Sequence, residues 1–249
     1  MDNAKIEAVL AQLGRPRRVN RPHRHFDGDY VNAPTGKVAY TAEGFGPSVL
    51  LVHGWDGSTR DMSDIALALD RAGARVIAME LPAHGFSEGE RLTAEDAAAA
   101  ILAVEAKEGP FAAVIAHSFG CPSTVLALEG GLKTNAVVFF APPLRQIDQF
   151  RRHAGRYGLT PDEIEEVIVR LRASGSTMDQ MDLAAKGARR SEPLLIIHSA
   201  DDEMTPLAGS EELVSAWTGA KLLAVDGLGH NLTMRDAAMV GTAVRFALG

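Results

Sequence analysis

The segment Ala116-His117-Ser118-Phe119-Gly120 follows the apolar run 111–115 and precedes a helix-like stretch. A serine at the tip of a sharp strand-to-helix turn has its hydroxyl exposed, and small residues must flank it because the strand and helix backbones nearly touch. Ala116 and Gly120 meet that need, so the turn points to acyl-transfer chemistry with Ser118 as nucleophile. A serine hydroxyl is a weak nucleophile at neutral pH. It needs a histidine to take its proton and a carboxylate to orient that histidine and stabilise its charged form.

Both partners have candidates further along the chain. In a parallel sheet, chemistry gathers at the carboxyl ends of the strands, so acid and base should each follow a late strand. The run 194–198 leads into Ser199-Ala200-Asp201-Asp202-Glu203-Met204-Thr205-Pro206, and the run 222–225 leads into Asp226-Gly227-Leu228-Gly229-His230. His230 is the only histidine after the acidic loop, and its place beside glycine after a strand suits an imidazole turned back over the sheet edge. Capping of the last helix is its plainer reading. Asp201 and Asp202 are nearly tied as the acid on residue order alone.

A further loop, His53-Gly54-Trp55-Asp56-Gly57-Ser58, follows the apolar run 49–52. Backbone N–H groups of such a glycine-containing turn can face a developing oxyanion, with the residue after the nucleophile as second donor. Those donors would be Trp55 and Phe119. Phe86, Met204 and Leu228 also flank the expected site and point to an apolar substrate pocket.

The elements that must hold these residues alternate. Strand patterns at 37–42, 48–52, 75–79, 111–116, 136–140, 193–198 and 221–225 are separated by helical patterns at about 60–72, 93–106, 121–128, 206–217 and 232–248, which predicts a doubly wound, mostly parallel α/β sheet. The rhythm breaks after Ala141-Pro142-Pro143. Residues 143–190 are charged and strandless, with Thr160-Pro161-Asp162-Glu163 as a helix start, and read as a helical lid inserted into a core of residues 1–142 and 191–249.

Taken together, the residues resemble the α/β-hydrolase superfamily, in particular its lipase and esterase-like group with a His-Gly-x-x-Gly oxyanion loop. His53-Gly54-Trp55 resembles that loop, and 116–120 resembles the nucleophile elbow, with Ala116 in place of its first glycine. Asp202, four residues before Pro206, is similar to the family's acid, and Gly229-His230 to its base. Glu80-Leu81-Pro82-Ala83-His84-Gly85-Phe86-Ser87 resembles the loop Asp-x-Pro-Gly-His-Gly-x-Ser, with Glu80 and Ala83 as departures. The resemblance implies an eight-stranded sheet with helices on both faces and a Ser118-Asp202-His230 triad cleaving a carboxylic ester or related acyl bond. The serine nucleophile points away from haloalkane dehalogenases and epoxide hydrolases of this fold. Thioesterase, acyltransferase or carbon-carbon hydrolase activity would use the same triad, and a ligand-binding or signalling protein could keep the site without turnover.

The resemblance implies a small-molecule acyl ester as partner, and composition argues against others. A net charge of −7 argues against nucleic acid, although Arg15, Arg17, Arg18, Arg21 and Arg24 form a basic segment, read here as a solvated surface strand. Cys121 is the single cysteine; it excludes an internal disulfide and fits a reducing, cytoplasmic setting. Residues 1–14 read as an amphipathic helix without the basic start and apolar block of a secretory signal, and no apolar run approaches the roughly 20 residues of a membrane span. His53, His84, His117 and His198 lack the His-x-His or His-Glu-x-x-His spacing of a metal site, and neither Gly44-Phe45-Gly46 nor Gly36-Lys37 has the context of a nucleotide loop, so no metal or cofactor is expected.

Overall fold

Residues 2–17 and 26–249 are described by the structure, a computed structural model. Strands β1 (Asp29–Ala33), β2 (Gly36–Glu43), β3 (Ser48–Val52), β4 (Arg75–Met79), β5 (Phe111–His117), β6 (Thr134–Phe140), β7 (Leu194–Ser199) and β8 (Ala220–Val225) form one sheet in the order β1-β2-β4-β3-β5-β6-β7-β8. The first two strands pair antiparallel, β2 pairs antiparallel with β4, and every later pairing is parallel. The helices are α1 (Asn3–Gln12), α2 (Ser63–Arg71), α3 (Ala94–Glu108), α4 (Gly120–Glu129), α5 (Gln146–Ala154), α6 (Pro161–Ala173), α7 (Leu183–Gly187), α8 (Leu207–Ala216), α9 (Gly229–Leu232) and α10 (Ala237–Leu248).

Central strands are apolar on both faces because helices cover both. Leu50, Val52, Val114, Ala116, Val137 and Phe139 pack under α3, α4, α7 and α8, while Val49, Leu51, Ala113, Ile115, Val138 and Phe140 pack under α2 and α10. This is why the runs 49–52 and 111–116 show no polar alternation.

Two segments depart from the sequence reading. Strand β1 adds an eighth strand that its sequence, Asp-Tyr-Val-Asn-Ala, does not announce, because it pairs only with β2 and is largely exposed. The basic segment is not a surface strand where it is described. Arg15 and Arg17 lie in the turn after α1, where Leu92 donates to the Gly14 carbonyl at 2.7 Å and Arg17 N–H to Asp56 Oδ1 at 2.6 Å. Arg18, Arg21 and Arg24 lie outside the described residues.

Residues 143–190 contain α5, α6 and α7 and no strand. Their apolar face is closed by α1: Ile6 and Val9 pack with Ile147, Phe150, Ala154, Leu159, Val167 and Ile168 in a cluster separate from the two sheet layers. Thr160 and Glu163 cap α6 reciprocally, as the sequence predicts, and Glu163 also accepts from Lys5 Nζ at 2.7 Å and from the Asp2 backbone at 3.0 Å. Among the described residues no helix is long and apolar enough to cross a membrane.

Candidate active site

Among the described residues four non-glycine residues have positive φ: Asp56 (56°), Ala83 (63°), Ser118 (47°) and Ala141 (48°). They stand in the loops after β3, β4, β5 and β6, so the strained backbone collects along the carboxyl edge of the sheet. Such conformations cost of order 1–3 kcal/mol each, persist where surrounding structure over-determines them, and cluster at functional sites. Ala83 is the clearest unforced case, since glycine takes this φ without penalty. Ala83→Gly is therefore expected to raise stability by up to about 1 kcal/mol, read as an increased denaturation midpoint.

Ser118 is held at the tip of the β5–α4 turn. Its N–H donates to the Phe140 carbonyl at 2.9 Å, and its carbonyl accepts from Cys121 N–H at 2.9 Å. A Cβ on Gly120 would stand 2.7 Å from the Val52 carbonyl oxygen, so the turn admits only glycine there. The Cys121 thiol is buried, its Sγ lies 3.5 Å from the Ala116 carbonyl oxygen, and burial pushes its pKa well up, keeping it a small inert core group.

His230 Nε2 lies 3.0 Å from Ser118 Oγ, and its Nδ1 lies 2.7 Å from Asp202 Oδ2. A carboxylate only accepts, so Nδ1 carries the proton and the Nε2 lone pair faces the serine. Asp202 is almost fully buried. Its Oδ1 accepts from Met204 N–H at 2.8 Å and Thr205 N–H at 2.9 Å, and its Oδ2 also accepts from Thr205 Oγ1 at 2.7 Å. Burial alone would raise its pKa, yet the donors from His198, His230 and Thr205 outweigh it and hold the carboxyl well below the usual carboxylate range.

The structure separates the two adjacent aspartates. Asp201 turns outward, and its Oδ1 accepts from Gly227 N–H and Gly229 N–H, each at 3.1 Å, and from the Ser199 hydroxyl. It thereby fastens the loop that carries His230. Three further residues around Ser118, Asp202 and His230 escaped the sequence reading. Thr205 bridges Asp202 and His230 through its hydroxyl, 2.7 Å from Asp202 Oδ2 and 3.2 Å from His230 Nδ1. His198, fully buried, places Nε2 3.2 Å from Asp202 Oδ2. His117 Nε2–H donates to the His230 carbonyl at 3.1 Å. Placement of Thr205 and His198 in the loop and strand next to Asp202 is the signal the sequence offers.

On the other side of Ser118, the 53–57 loop closes on itself, with Gly57 N–H donating to the Gly54 carbonyl at 3.0 Å. A Cβ on Gly54 would meet His117 Nδ1 at 2.9 Å and Ser118 Cβ at 3.0 Å, so the loop runs directly against Ser118. Among the described residues the backbone N–H groups of Trp55 and Phe119 have no hydrogen-bond partner. The two aromatic rings pack edge to face, with centroids 5.3 Å apart.

The 80–87 loop supports this turn from below. His53 Nε2 accepts from Leu81 N–H at 3.0 Å, and His84 Nε2 accepts from Asp56 N–H at 3.1 Å. Glu80 is buried and accepts from Thr59 Oγ1 at 2.9 Å; a Cβ on Gly85 would stand 2.5 Å from its Cδ, so this glycine is what makes room for the glutamate. Phe86 is half-buried and stacks on Phe26, centroids 4.8 Å apart. Met204 and Leu228 are half-buried beside Asp202 and Ser199, to which their amides donate.

His117 and His84 are both kept neutral by the fold. Burial, then the proximity of His230, pulls His117 down to about 3, and burial, then His53, pulls His84 down to about 4. The unfolded chain would bind these protons near pH 6.5, so below that pH the unfolded state holds more protons than the native state, and stability falls as pH falls. By pH 4 the loss should reach about 3 kcal/mol for each histidine at 1.36 kcal/mol per pH unit. Thermal unfolding of the protein between pH 7 and 4 should show this decline, and a midpoint unchanged across that window would contradict it.

The Alpha/beta hydrolase family matches residues 49–242. No curated protein matches the sequence. Solved structures share the fold at low identity. The esterase EaEST from Exiguobacterium antarcticum is 16% identical with a TM-score of 0.72, covering 89% of this chain and 100% of its own. The Pyrococcus furiosus esterase Pf2001 is 17% identical with a TM-score of 0.72, covering 93% and 97%. A bromoperoxidase from Bacillus anthracis is 18% identical with a TM-score of 0.70, covering 89% and 99%. The eight-stranded sheet, the strand order and the family match over most of its length agree: this chain belongs to the alpha/beta hydrolase family.

Proposed function

We propose that the protein is a serine hydrolase that cleaves a carboxylic ester or related acyl bond. What carries this reading is the file of Ser118 Oγ, His230 and Asp202 Oδ2 at 3.0 and 2.7 Å on three separate loops. A hydroxyl, an imidazole and a buried carboxylate in that order can do little else as well as they can transfer an acyl group.

In the proposed cycle Ser118 Oγ attacks the substrate carbonyl while His230 Nε2 takes the hydroxyl proton. The negative charge on the carbonyl oxygen is met by the N–H groups of Trp55 and Phe119, aided by the N-terminus of α4. Collapse of the tetrahedral species expels the alcohol, which receives its proton from His230. Water then repeats the sequence on the acyl-enzyme, and Ser118 leaves with its proton restored. Asp202 stays ionised throughout and holds the imidazole in the productive tautomer. Residues 143–190 act as the lid in this reading, and they set substrate range because they begin directly after β6 beside the nucleophile.

Fluorophosphonate labelling followed by peptide mapping tests the proposal. Modification should fall on Ser118, and a panel of ester chain lengths then ranks the substrates. A folded protein that labels at a different serine, or not at all, would overturn it.

A further inference from the structure

Thr205, almost fully buried between β7 and α8, has a partner for each of its polar groups. Its N–H donates to Asp202 Oδ1 at 2.9 Å, its hydroxyl stands 2.7 Å from Asp202 Oδ2 and 3.2 Å from His230 Nδ1, and its carbonyl accepts from His198 Nε2–H at 2.8 Å. A backbone carbonyl only accepts, so the proton of the buried His198 ring is on Nε2, and its Nδ1 takes a bond from the Ser210 hydroxyl of α8, 2.6 Å away. His198 thus ties Thr205 to β7 and α8. Pro206 restricts the Thr205 backbone from the other side.

The direction of the Thr205 hydroxyl proton follows from its acceptors. The Ala141 carbonyl oxygen is 3.4 Å away, whereas Asp202 Oδ2 is at 2.7 Å and charged, so the proton goes to the carboxylate and a lone pair is left toward His230 Nδ1–H. Asp202 Oδ1 is taken up by the amides of Met204 and Thr205. Oδ2 faces the imidazole of His230, and the Thr205 hydroxyl is its other close donor. His198 Nε2 is 3.2 Å from the same oxygen, but its proton is drawn to the nearer Thr205 carbonyl. The hydroxyl therefore shares with His230 the one oxygen that orients the base.

We propose that Thr205 is a positioning residue of this site: its hydroxyl fixes Asp202 Oδ2 toward His230 and draws off part of the carboxylate charge. The reaction is thereby kept running at a lower pH than an unshared carboxylate would allow. This rests on the hydrolase reading above and adds to it a control over the pH range in which the site works. Among the described residues, the other titratable groups around the pair are His198 of β7, His117, which donates to the His230 carbonyl, Asp201, which is turned outward, and His153 of α5, which acts on His230 through charge alone.

Thr205→Val keeps the shape and removes the hydroxyl, while Thr205→Ser keeps the hydroxyl. Once the carboxylate charge is no longer shared, a protonated His230 is held more firmly, so the acid limb of kcat/KM should move up by about half a pH unit or more in Thr205→Val. Its kcat should fall about tenfold, with KM within about twofold of the parent. Thr205→Ser should restore both. A packing defect lowers the rate without moving the limb, so a limb that stays in place in Thr205→Val, or that Thr205→Ser displaces equally, would overturn the proposal. If Ser118 takes no fluorophosphonate and no ester is cleaved, the hydrolase reading fails instead, and the role of Thr205 is decided by proton NMR of the parent protein. Its hydroxyl proton should exchange slowly and lie close to the His230 Nδ1–H, and a freely exchanging hydroxyl would overturn the proposal. The same spectrum decides the case in which Thr205→Val does not fold.

Discussion

Ser118→Ala is expected to lower ester turnover by about 10⁶ while leaving the fold and thermal stability close to those of the parent protein. The magnitude follows from removing the only atom that forms the new bond, since His230 and the Trp55 and Phe119 amides remain in place. Folding should tolerate the change because the Ser118 backbone bonds to Phe140 and Cys121 do not involve the side chain. Steady-state rates on the best ester of the panel, with circular dichroism as control, give the result. A variant that keeps more than about one part in a hundred of the rate would remove Ser118 from the chemistry.

Asp202→Asn should be the next most damaging change, with a loss of up to about 10⁴ in turnover. Asp202 Oδ2 accepts from Thr205 Oγ1 at 2.7 Å and His230 Nδ1 at 2.7 Å, and an amide nitrogen placed there would donate where both neighbours also donate. The imidazole would turn to the tautomer with its proton on Nε2, facing a serine that also carries one. The neighbouring carboxylate gives the control. Asp201→Asn keeps an oxygen that can accept from Gly227 and Gly229, so its cost should stay under about tenfold. Asp201→Ala frees the loop that presents His230 and should cost more than Asp201→Asn. A larger loss at Asp201→Asn than at Asp202→Asn would reverse the assignment.

How far the sequence could be read depends on what each segment packs against. The strands β3 to β7 are legible because burial on both faces writes them as apolar runs, whereas β1 has a single sheet neighbour and its alternating, polar pattern looks like a loop. The closing helix reads as continuous from about residue 232, yet α9 ends at Leu232 and α10 begins only at Ala237. Asp236 accepts from Ala238 N–H and Met239 N–H and starts α10 afresh after the turn that carries His230. Ser118, His230 and the pair Asp201 and Asp202 can be nominated from strand order, because in a parallel sheet the loop after each strand has one place to go. The choice between the two aspartates needs the loop's own hydrogen bonds. The positions of Thr205, His198 and His117 depend on how side chains from separate loops converge, which no spacing along the chain encodes. Helix α1 shows an apolar face but not its partner, and the partner is the insertion.

That last pairing has a consequence for how the protein is made. Lys5 and Glu163 are 158 residues apart, and among the described residues Ile6 and Val9 pack in the apolar cluster built on α5 and α6. During synthesis at roughly 5–20 residues per second, α1 must wait on the order of ten seconds or more for its cover to emerge from the ribosome. Throughout that interval strands β1 to β6 can already assemble, while the first helix presents bare isoleucine and valine to whatever is nearby. Ile6 and Val9 are thus exposed while the chain is being made and are buried only once α5 and α6 have folded over them.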